Sequence, residues 1–234
     1  MRWKNKRSIW TGLVGLILIA LFSWVLIDQA ITNPRAIEQV NLSTELQQIS
    51  EEEINRVLQP YIGHSFWRVD LNQIQADLKR LDWVSQAVVK RRWPNQLMIS
   101  IEEQIPVARW TDRGLINHKG DVFYPRRLHT FDAYVRLEGP LENAPQILAQ
   151  LAQFQTMLDK LNWSILALTQ APEGGWQIDI LDGPQLWLGE KDHHQQLTRF
   201  VRAYGQLKAS LRKSTQVYDL RYSNGFSVKS FVSQ

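Results

Sequence analysis

A run of nineteen uncharged residues at positions 9–27 constrains what the rest of this chain can be. At about 1.5 Å per residue, a helix over this run is about 28 Å long, close to the hydrocarbon thickness of a bilayer. Cations at positions 2, 4, 6 and 7 precede the run, and the first acidic residue, Asp28, follows it. Because positive charge is retained in the cytoplasm, we expect a cytoplasmic tail (1–8), a transmembrane helix (9–27) and export of the remainder.

The alternative for this run is a cleaved signal peptide, whose apolar region usually spans about 7–15 residues and ends at small side chains. The run here is longer, and residues 25–30 read Val-Leu-Ile-Asp-Gln-Ala, which places bulky or charged side chains at the exit. The sequence therefore favours an uncleaved anchor. N-terminal sequencing of the mature protein distinguishes the two.

The charge balance gives no support for nucleic acid as a partner. Removing the four tail cations from the 27 lysines and arginines leaves 23, equal to the 23 aspartates and glutamates, all of which follow the apolar run. The exported part is neutral overall, so its charge does not indicate nucleic-acid binding. There is no cysteine, which excludes disulfides, thiol nucleophiles and cysteine-bound metals.

Residues 34–104 predict a small domain with the order strand, helix, helix, strand, strand. Ser50 and Glu53 form a capping box that begins the first helix, and Asp70 with Gln73 begins the second. The predicted bounds are 36–42 for the first strand, a second helix ending near residue 81, and strands at 83–90 and 97–101 around a turn at 93–96.

Residues 105–234 predict a larger sheet with flanking helices, so the fold class is α+β. The pattern predicts strands at 107–110, 115–117, 122–124, 165–169, 176–181 and 185–188, and helices at 145–161 and 192–211. Two final strands, 217–222 and 226–232, flank a Ser-Asn-Gly hairpin turn at 223–225.

The titratable residues do not form a catalytic pattern. Glu102 and Glu103 are adjacent on a predicted strand and point to opposite faces. His193 and His194 are adjacent on a predicted helix, about 100° apart, whereas a helical metal site needs an i, i+4 spacing. The sequence therefore predicts no enzyme, no metal and no cofactor.

Two motifs carry a resemblance to a known family. The first runs from Asp-Trp-Val at 82–84 through Arg-Arg-Trp-Pro at 91–94 to Pro-Val-Ala-Arg-Trp at 106–110. The second is Asp-Leu-Arg-Tyr-Ser-Asn-Gly at 219–225. Together with the order of parts, they make the chain similar to the bacterial FtsQ (DivIB) cell-division family. The resemblance implies that the first domain is a POTRA (polypeptide-transport-associated) domain and the second is the family's β-domain.

The resemblance also implies a non-catalytic, single-pass type II protein of the inner membrane, with its C-terminal domains in the periplasm at the division septum. In that role it links early and late division proteins and helps to control septal cell-wall synthesis. The last strands are expected to offer an edge to FtsB, which acts with FtsL and adds a strand there. The residues carried over to this edge by motif position are Arg221, Tyr222, Asn224, Gly225, Phe226 and Val228.

The chain departs from some relatives at two places. Glu173 stands in a segment where some relatives use arginine against the partner, and Lys229-Ser230 replaces a Gly-Trp pair on the closing strand. Two other functions are considered: a POTRA-containing transport or assembly factor, and a membrane-anchored cell-wall hydrolase. About 130 residues follow the first domain, which is too few for a transport barrel of ordinary size.

Overall fold

A computed structural model describes residues 15–25 and 36–230 of the chain and divides it into two compact units, Met1–Glu103 and Gln104–Gln234. Residues 15–25 are helical (α1), and their large apolar side chains are exposed, from 49% for Val25 to 72% for Trp24. The other residues of the predicted anchor, 9–14 and 26–27, lie outside the described ranges. No helix within those ranges has both the length and the apolar character that a membrane span requires.

The first unit has the predicted order of strands and helices. Its elements are β1 Gln39–Leu42, α2 Glu51–Leu58, α3 Leu71–Leu78, β2 Val84–Arg92 and β3 Gln96–Glu103, with a 3₁₀ turn at Gln59–Tyr61. The sheet order is β1-β3-β2, in which β1 runs parallel to β3 and β2 runs antiparallel to it. Since β3 lies in the middle, its apolar face forms the centre of this domain.

Local chemistry explains where the helices of the first unit begin. Ser50 accepts a hydrogen bond from the Glu53 amide while the Glu53 side chain returns to the Ser50 amide, which completes the capping box. Asp70 accepts from the amides of Asn72 and Gln73. The two helices place four fully buried side chains against the sheet: Ile54, Leu58, Ile74 and Leu78.

Glu103 anchors the segment that leads into α2. Its carboxylate accepts hydrogen bonds from three successive backbone amides, those of Gln47 (2.9 Å), Gln48 (2.8 Å) and Ile49 (2.9 Å). The end of β3 thereby holds the loop before α2, so Glu103 has a structural role.

The second unit contains one nine-stranded sheet and three helices within residues 104–230. The strands are β4 Pro106–Trp110, β5 Gly114–Asn117, β6 Val122–Phe123, β7 Arg136–Glu138, β8 Ile165–Gln170, β9 Trp176–Ile180, β10 Gln185–Leu188, β11 Val217–Asp219 and β12 Ser227–Lys229. The helices are α4 Ala144–Leu158, α5 His193–Tyr204 and α6 Ala209–Ser214. The sheet order is β12-β11-β10-β9-β8-β7-β4-β5-β6.

The core of this unit lies between the sheet and helices α4 and α5. Phe154 of α4 and Phe200 of α5 are fully buried, with Leu168, Ile178 and Leu186 of the central strands in the same cluster. Aromatic rings close the core beside the last strands. Phe200 lies 4.9 Å from Tyr218 and 5.3 Å from Phe226, measured between ring centroids.

Three local predictions for this unit differ from the structure. Strand β7 was not predicted, because three residues are too few to show an alternating pattern. The single helix predicted at 192–211 is two helices, because α5 ends at Tyr204 and the backbone leaves the helical region at Lys208 (ψ 138°). Gly205, a poor helix former, lies in the turn that follows α5. Strand β11 ends at Asp219, before the predicted residue 222, and residues 231–232 of the last predicted strand lie outside the described ranges.

Candidate partner-binding edge of the C-terminal sheet

Strand β12 is the terminal strand of the nine-stranded sheet. It pairs antiparallel with β11, with Val217 opposite Lys229, Tyr218 opposite Val228 and Asp219 opposite Ser227. Within residues 36–230, no strand pairs with its other side. An edge of this kind presents backbone donors and acceptors to an incoming strand.

The hydrogen bonds around β11 identify which residue of β12 faces outward. The Gln185 amide donates to the Gln216 carbonyl (2.8 Å), and the Leu220 amide donates to the Trp187 carbonyl (2.7 Å), so these two groups on the flanks of β11 face β10. The Gln216 amide donates to the Lys229 carbonyl (3.1 Å), so that carbonyl faces β11. Because successive residues of a strand alternate, Val217 and Asp219 turn towards β12 and bond with the residues opposite them. Val228 lies between those two pairs. Its N–H and C=O therefore point to the open side of the sheet.

Arg199 of α5 shapes the connection between the last two strands. Its guanidinium donates from Nη2 to the Tyr222 carbonyl (2.7 Å) and from Nη1 to the Ser223 carbonyl. Leu220 is buried in the core at 1% exposure. These contacts take the backbone away from strand pairing, which is why β11 ends at Asp219 rather than at the predicted residue 222.

Asp219 and Arg221 form a bidentate ion pair on the sheet face opposite the face that carries Tyr218. Arg221 donates from Nε to Oδ1 (2.8 Å) and from Nη2 to Oδ2 (2.7 Å), and its own amide donates to Oδ1 (3.2 Å). The Asp219 side chain is 4% exposed and that of Arg221 is 56% exposed. Hydrogen bonding from Arg221 lowers the pKa of the Asp219 carboxyl, although burial acts in the opposite direction.

Two cations lie over the indole of Trp187 on this same face. The Lys229 Nζ is 4.4 Å from the ring centroid, and the Arg221 Cζ is 5.5 Å from it. Trp187 also lines a groove of about 330 Å³, together with Thr169, Gln177, Glu173, Glu190 and Arg221. The two glutamates place negative charge on the rim of the groove, and Arg221 places positive charge there.

The structure places the six predicted partner-binding residues in three different environments. Tyr222 is 57% exposed, Asn224 is exposed, and a Cβ added at Gly225 would contact nothing within 4 Å. Val228 is 38% exposed on the edge strand. By contrast, Phe226 packs against the core rings and Arg221 is paired with Asp219.

Sequence reasoning does not place Asp219 or Trp187 at this edge. It treats Arg199 only as one of several cations on the predicted helix at 192–211, which form either a solvated face or an attraction for an acidic partner segment. The signal for the pairing of Asp219 is the i, i+2 spacing of an acid and a base on one strand face. Trp187 and Arg199 come near the hairpin only through sheet order and helix packing. The patterns of β10 and α5 alone therefore do not place them there.

Charge is unevenly distributed in this part of the chain. Between positions 193 and 230 the sequence contains seven cations and one acidic residue, Asp219. The cations are Arg199, Arg202, Lys208, Arg212, Lys213, Arg221 and Lys229. The described residues contain no group of three or more His, Asp or Glu side chains placed to hold a metal ion.

Two family models match the chain along most of its length. Residues 35–104 match the POTRA domain, FtsQ-type, and residues 108–221 match the model described as cell division protein FtsQ/DivIB, C-terminal. The second match ends at Arg221, so the hairpin connection and β12 lie beyond it.

Curated relatives named cell division protein FtsQ are similar over most of their length. The protein from Allochromatium vinosum is 32% identical, covering 82% of this chain and 77% of the relative. That from Thiomonas arsenitoxydans is 30% identical, covering 97% and 85%, and that from Coxiella burnetii is 28% identical, covering 96% and 92%.

The chain has a POTRA domain followed by a large mixed sheet. This combination defines its class: it is a POTRA-containing protein of the bacterial division machinery. The predicted α+β fold, with a POTRA domain followed by a larger sheet domain, is confirmed. The chain belongs to the FtsQ/DivIB family of cell-division proteins.

Proposed function

We propose that this protein is a membrane-anchored scaffold of the divisome that binds the FtsB/FtsL subcomplex through the open edge of β12. In this role it links early and late division proteins and helps to control septal cell-wall synthesis. The partner contributes a strand, backbone hydrogen bonds supply affinity, and the flanking side chains supply selection. Membership of a cell-division family supports the setting of this proposal.

The observation that carries the proposal is the outward direction of the Val228 backbone groups on a terminal strand. Tyr222, Asn224 and Gly225 are accessible beside this edge. In the proposed interface, Asp219 holds the Arg221 guanidinium in place, and the exposed part of Arg221 contacts a partner carboxylate. Phe226 supports the edge from beneath, through its contacts with Phe200 and Tyr218.

The proposed layout in the cell is single-pass type II. Residues 1–8 lie in the cytoplasm, residues 9–27 span the inner membrane, and the POTRA domain (34–104) and β-domain (105–234) lie in the periplasm at the septum. The exposed apolar side chains of α1 support a lipid environment for that helix. A cysteine introduced into the tail and one into the β-domain should differ in their labelling by a membrane-impermeant reagent.

A proline at position 228 tests the edge directly. Val228→Pro removes an N–H that faces outward and leaves the two ladder pairs with β11 intact, since proline is tolerated on the free side of an edge strand. We expect co-purification of the full-length chain with FtsB/FtsL to be lost and thermal unfolding to be nearly unchanged.

Val228→Ile is the matched control, because it keeps the N–H and the β-branched side chain, and it should bind as the parent chain does. If Val228→Pro retains full binding with an unchanged fold, strand addition at this edge is not the mode of binding.

A further inference from the structure

We propose that Lys229 is a specificity-determining residue that selects an acidic side chain in the partner strand, next to an apolar side chain that packs on Val228. This inference rests on the strand addition proposed above and adds the chemistry of the partner segment. Lys229 is not among the residues that motif position assigned to the interface. It stands where some relatives have a different residue pair.

The strand register divides the side chains of β12 between two faces. Lys229 is opposite Val217, Ser227 is opposite Asp219, and Asp219 is also opposite Trp187 of β10. These side chains therefore share the face that carries the Trp187 indole. Val228 is opposite Tyr218 and shares the other face with the aromatic core.

The position of Lys229 is restricted by the Trp187 ring. Its ammonium lies 4.4 Å from the ring centroid, within the range of a cation–π contact. The Asp219 carboxylate on the same face is already engaged by three hydrogen bonds from Arg221. The Lys229 side chain thus reaches across β11 to a ring on β10, and the Asp219 acid on the strand between them is bound to another cation.

The surrounding charges favour an acidic partner. Six cations other than Lys229 and one acidic residue lie between positions 193 and 230. Glu173 and Glu190 line the same groove as Trp187 and Arg221, and Glu190 also lines a pocket with Arg199. Strand β12 itself carries one charged residue, Lys229, so the charge that an approaching strand meets first is positive.

The geometry of neighbouring strands predicts which residues the partner segment carries. Side chains directly opposite each other on neighbouring strands lie about 4.5–5.5 Å apart between Cβ atoms. The partner residue opposite Lys229 comes within reach of its ammonium when the flexible lysine side chain turns from the Trp187 ring to the open side of β12. The next residue of that strand points to the Val228 face. The partner segment is therefore an acidic residue adjacent to an apolar one, with the apolar side chain on the Val228 face.

Charge reversal at position 229 tests the inference. The full-length chain, purified in detergent micelles, is titrated with the FtsB/FtsL complex and binding is measured by biolayer interferometry. We expect Lys229→Ala to weaken binding about threefold and Lys229→Glu about tenfold, because an exposed pair contributes little and a like-charge contact is repulsive. Lys229→Arg should stay within about twofold, because it keeps the charge.

Lys160→Glu is the matched control, since Lys160 is an exposed lysine of the same unit, in the 3₁₀ turn that follows α4. It should leave binding within about twofold, so a larger loss would assign the effect to total charge and overturn the inference. The parent's affinity should also fall more with added salt than that of Lys229→Ala, because one screened pair is missing in the variant.

Partner variants complete the test. Each acidic residue of the FtsB segment is changed to lysine in turn, and one of these changes should restore binding to Lys229→Glu. The inference is overturned if Lys229→Glu binds within twofold of the parent while Val228→Pro abolishes binding, and in that case the proposed function stands. If Val228→Pro also binds normally, both fail.

Discussion

Replacing Asp219 by asparagine should destabilise the C-terminal unit by about 2 kcal/mol. The substitution keeps the size of the side chain but removes its charge, and it sets an amide N–H₂ against a guanidinium donor. Hydrogen bonds to charged groups contribute about 1.5–3 kcal/mol each, and removing one partner of a buried ion pair costs about 3–5 kcal/mol. The lower figure applies because the Arg221 side chain, at 56% exposure, can turn into water once its partner is neutral.

The assay is chemical and thermal unfolding of the full-length chain, followed by far-ultraviolet circular dichroism. For a unit of this size, about 2 kcal/mol corresponds to a decrease in Tm of roughly 6–8 °C. The pH dependence adds a sharper criterion. The pKa of Asp219 is lower in the folded state than in the unfolded state, so its stabilisation is complete above the unfolded pKa and is lost as pH falls through the folded pKa.

The difference in unfolding free energy between the parent and Asp219→Asn should therefore be constant near neutral pH and shrink as the pH falls below about 4. A difference that stayed constant into strong acid would show that the asparagine acts through shape alone. A loss below about 0.5 kcal/mol at neutral pH would show that the ion pair contributes no more than an ordinary surface pair.

Three further predictions concern other positions in the two units. Glu103→Gln should lower the unfolding free energy by about 1.5 kcal/mol and speed deuterium exchange at the amides of residues 47–49, since one of the two acceptor oxygens is replaced by a donor; unchanged exchange would contradict this anchoring. Gly120→Ala should lower the unfolding free energy by about 2 kcal/mol in chemical denaturation, because φ is +87° and the new Cβ would lie 2.7 Å from the Pro145 Cα. Gly205→Ala is the control, because it has open space around it and a helical φ, and it should raise the unfolding free energy by about 0.5 kcal/mol. Tyr222→Ala should leave Tm unchanged, since the side chain is 57% exposed, but weaken co-purification with FtsB/FtsL, and normal co-purification would remove Tyr222 from the proposed interface.

The parts of the fold that sequence reasoning predicted well are those fixed by local chemistry. The capping residues at Ser50 and Asp70 set the starts of α2 and α3, because side-chain acceptors for the first helical amides are needed wherever a helix begins. Alternating strands such as β3, with buried Leu97, Ile99 and Ile101, are equally local in their signal. In both cases the residues that decide the structure are within a few positions of each other.

The parts that were missed depend on contacts between distant segments. The length of β11 is set by Arg199, which bonds to carbonyls 23 and 24 residues away. The guanidinium of Arg221 lies near the Trp187 ring, and the two residues meet because β10 pairs in parallel with β11. Neither relation leaves a periodic pattern in the sequence, so the different burial of the six candidate residues was not predicted, and their role in binding stays a prediction.

The positive charge around β12 addresses a problem that any open edge strand creates. An unpaired edge can pair with an edge of another copy, and proteins limit this with short edge strands and lysine side chains. Strand β12 has three residues and carries Lys229, and the segment around it has seven cations against one acid. Like charges should therefore disfavour pairing between two copies of this edge, and the same charges should attract an acidic partner strand. The features that disfavour self-association therefore also favour the proposed partner, so Lys229→Glu should weaken the heterologous complex and reduce the repulsion between copies.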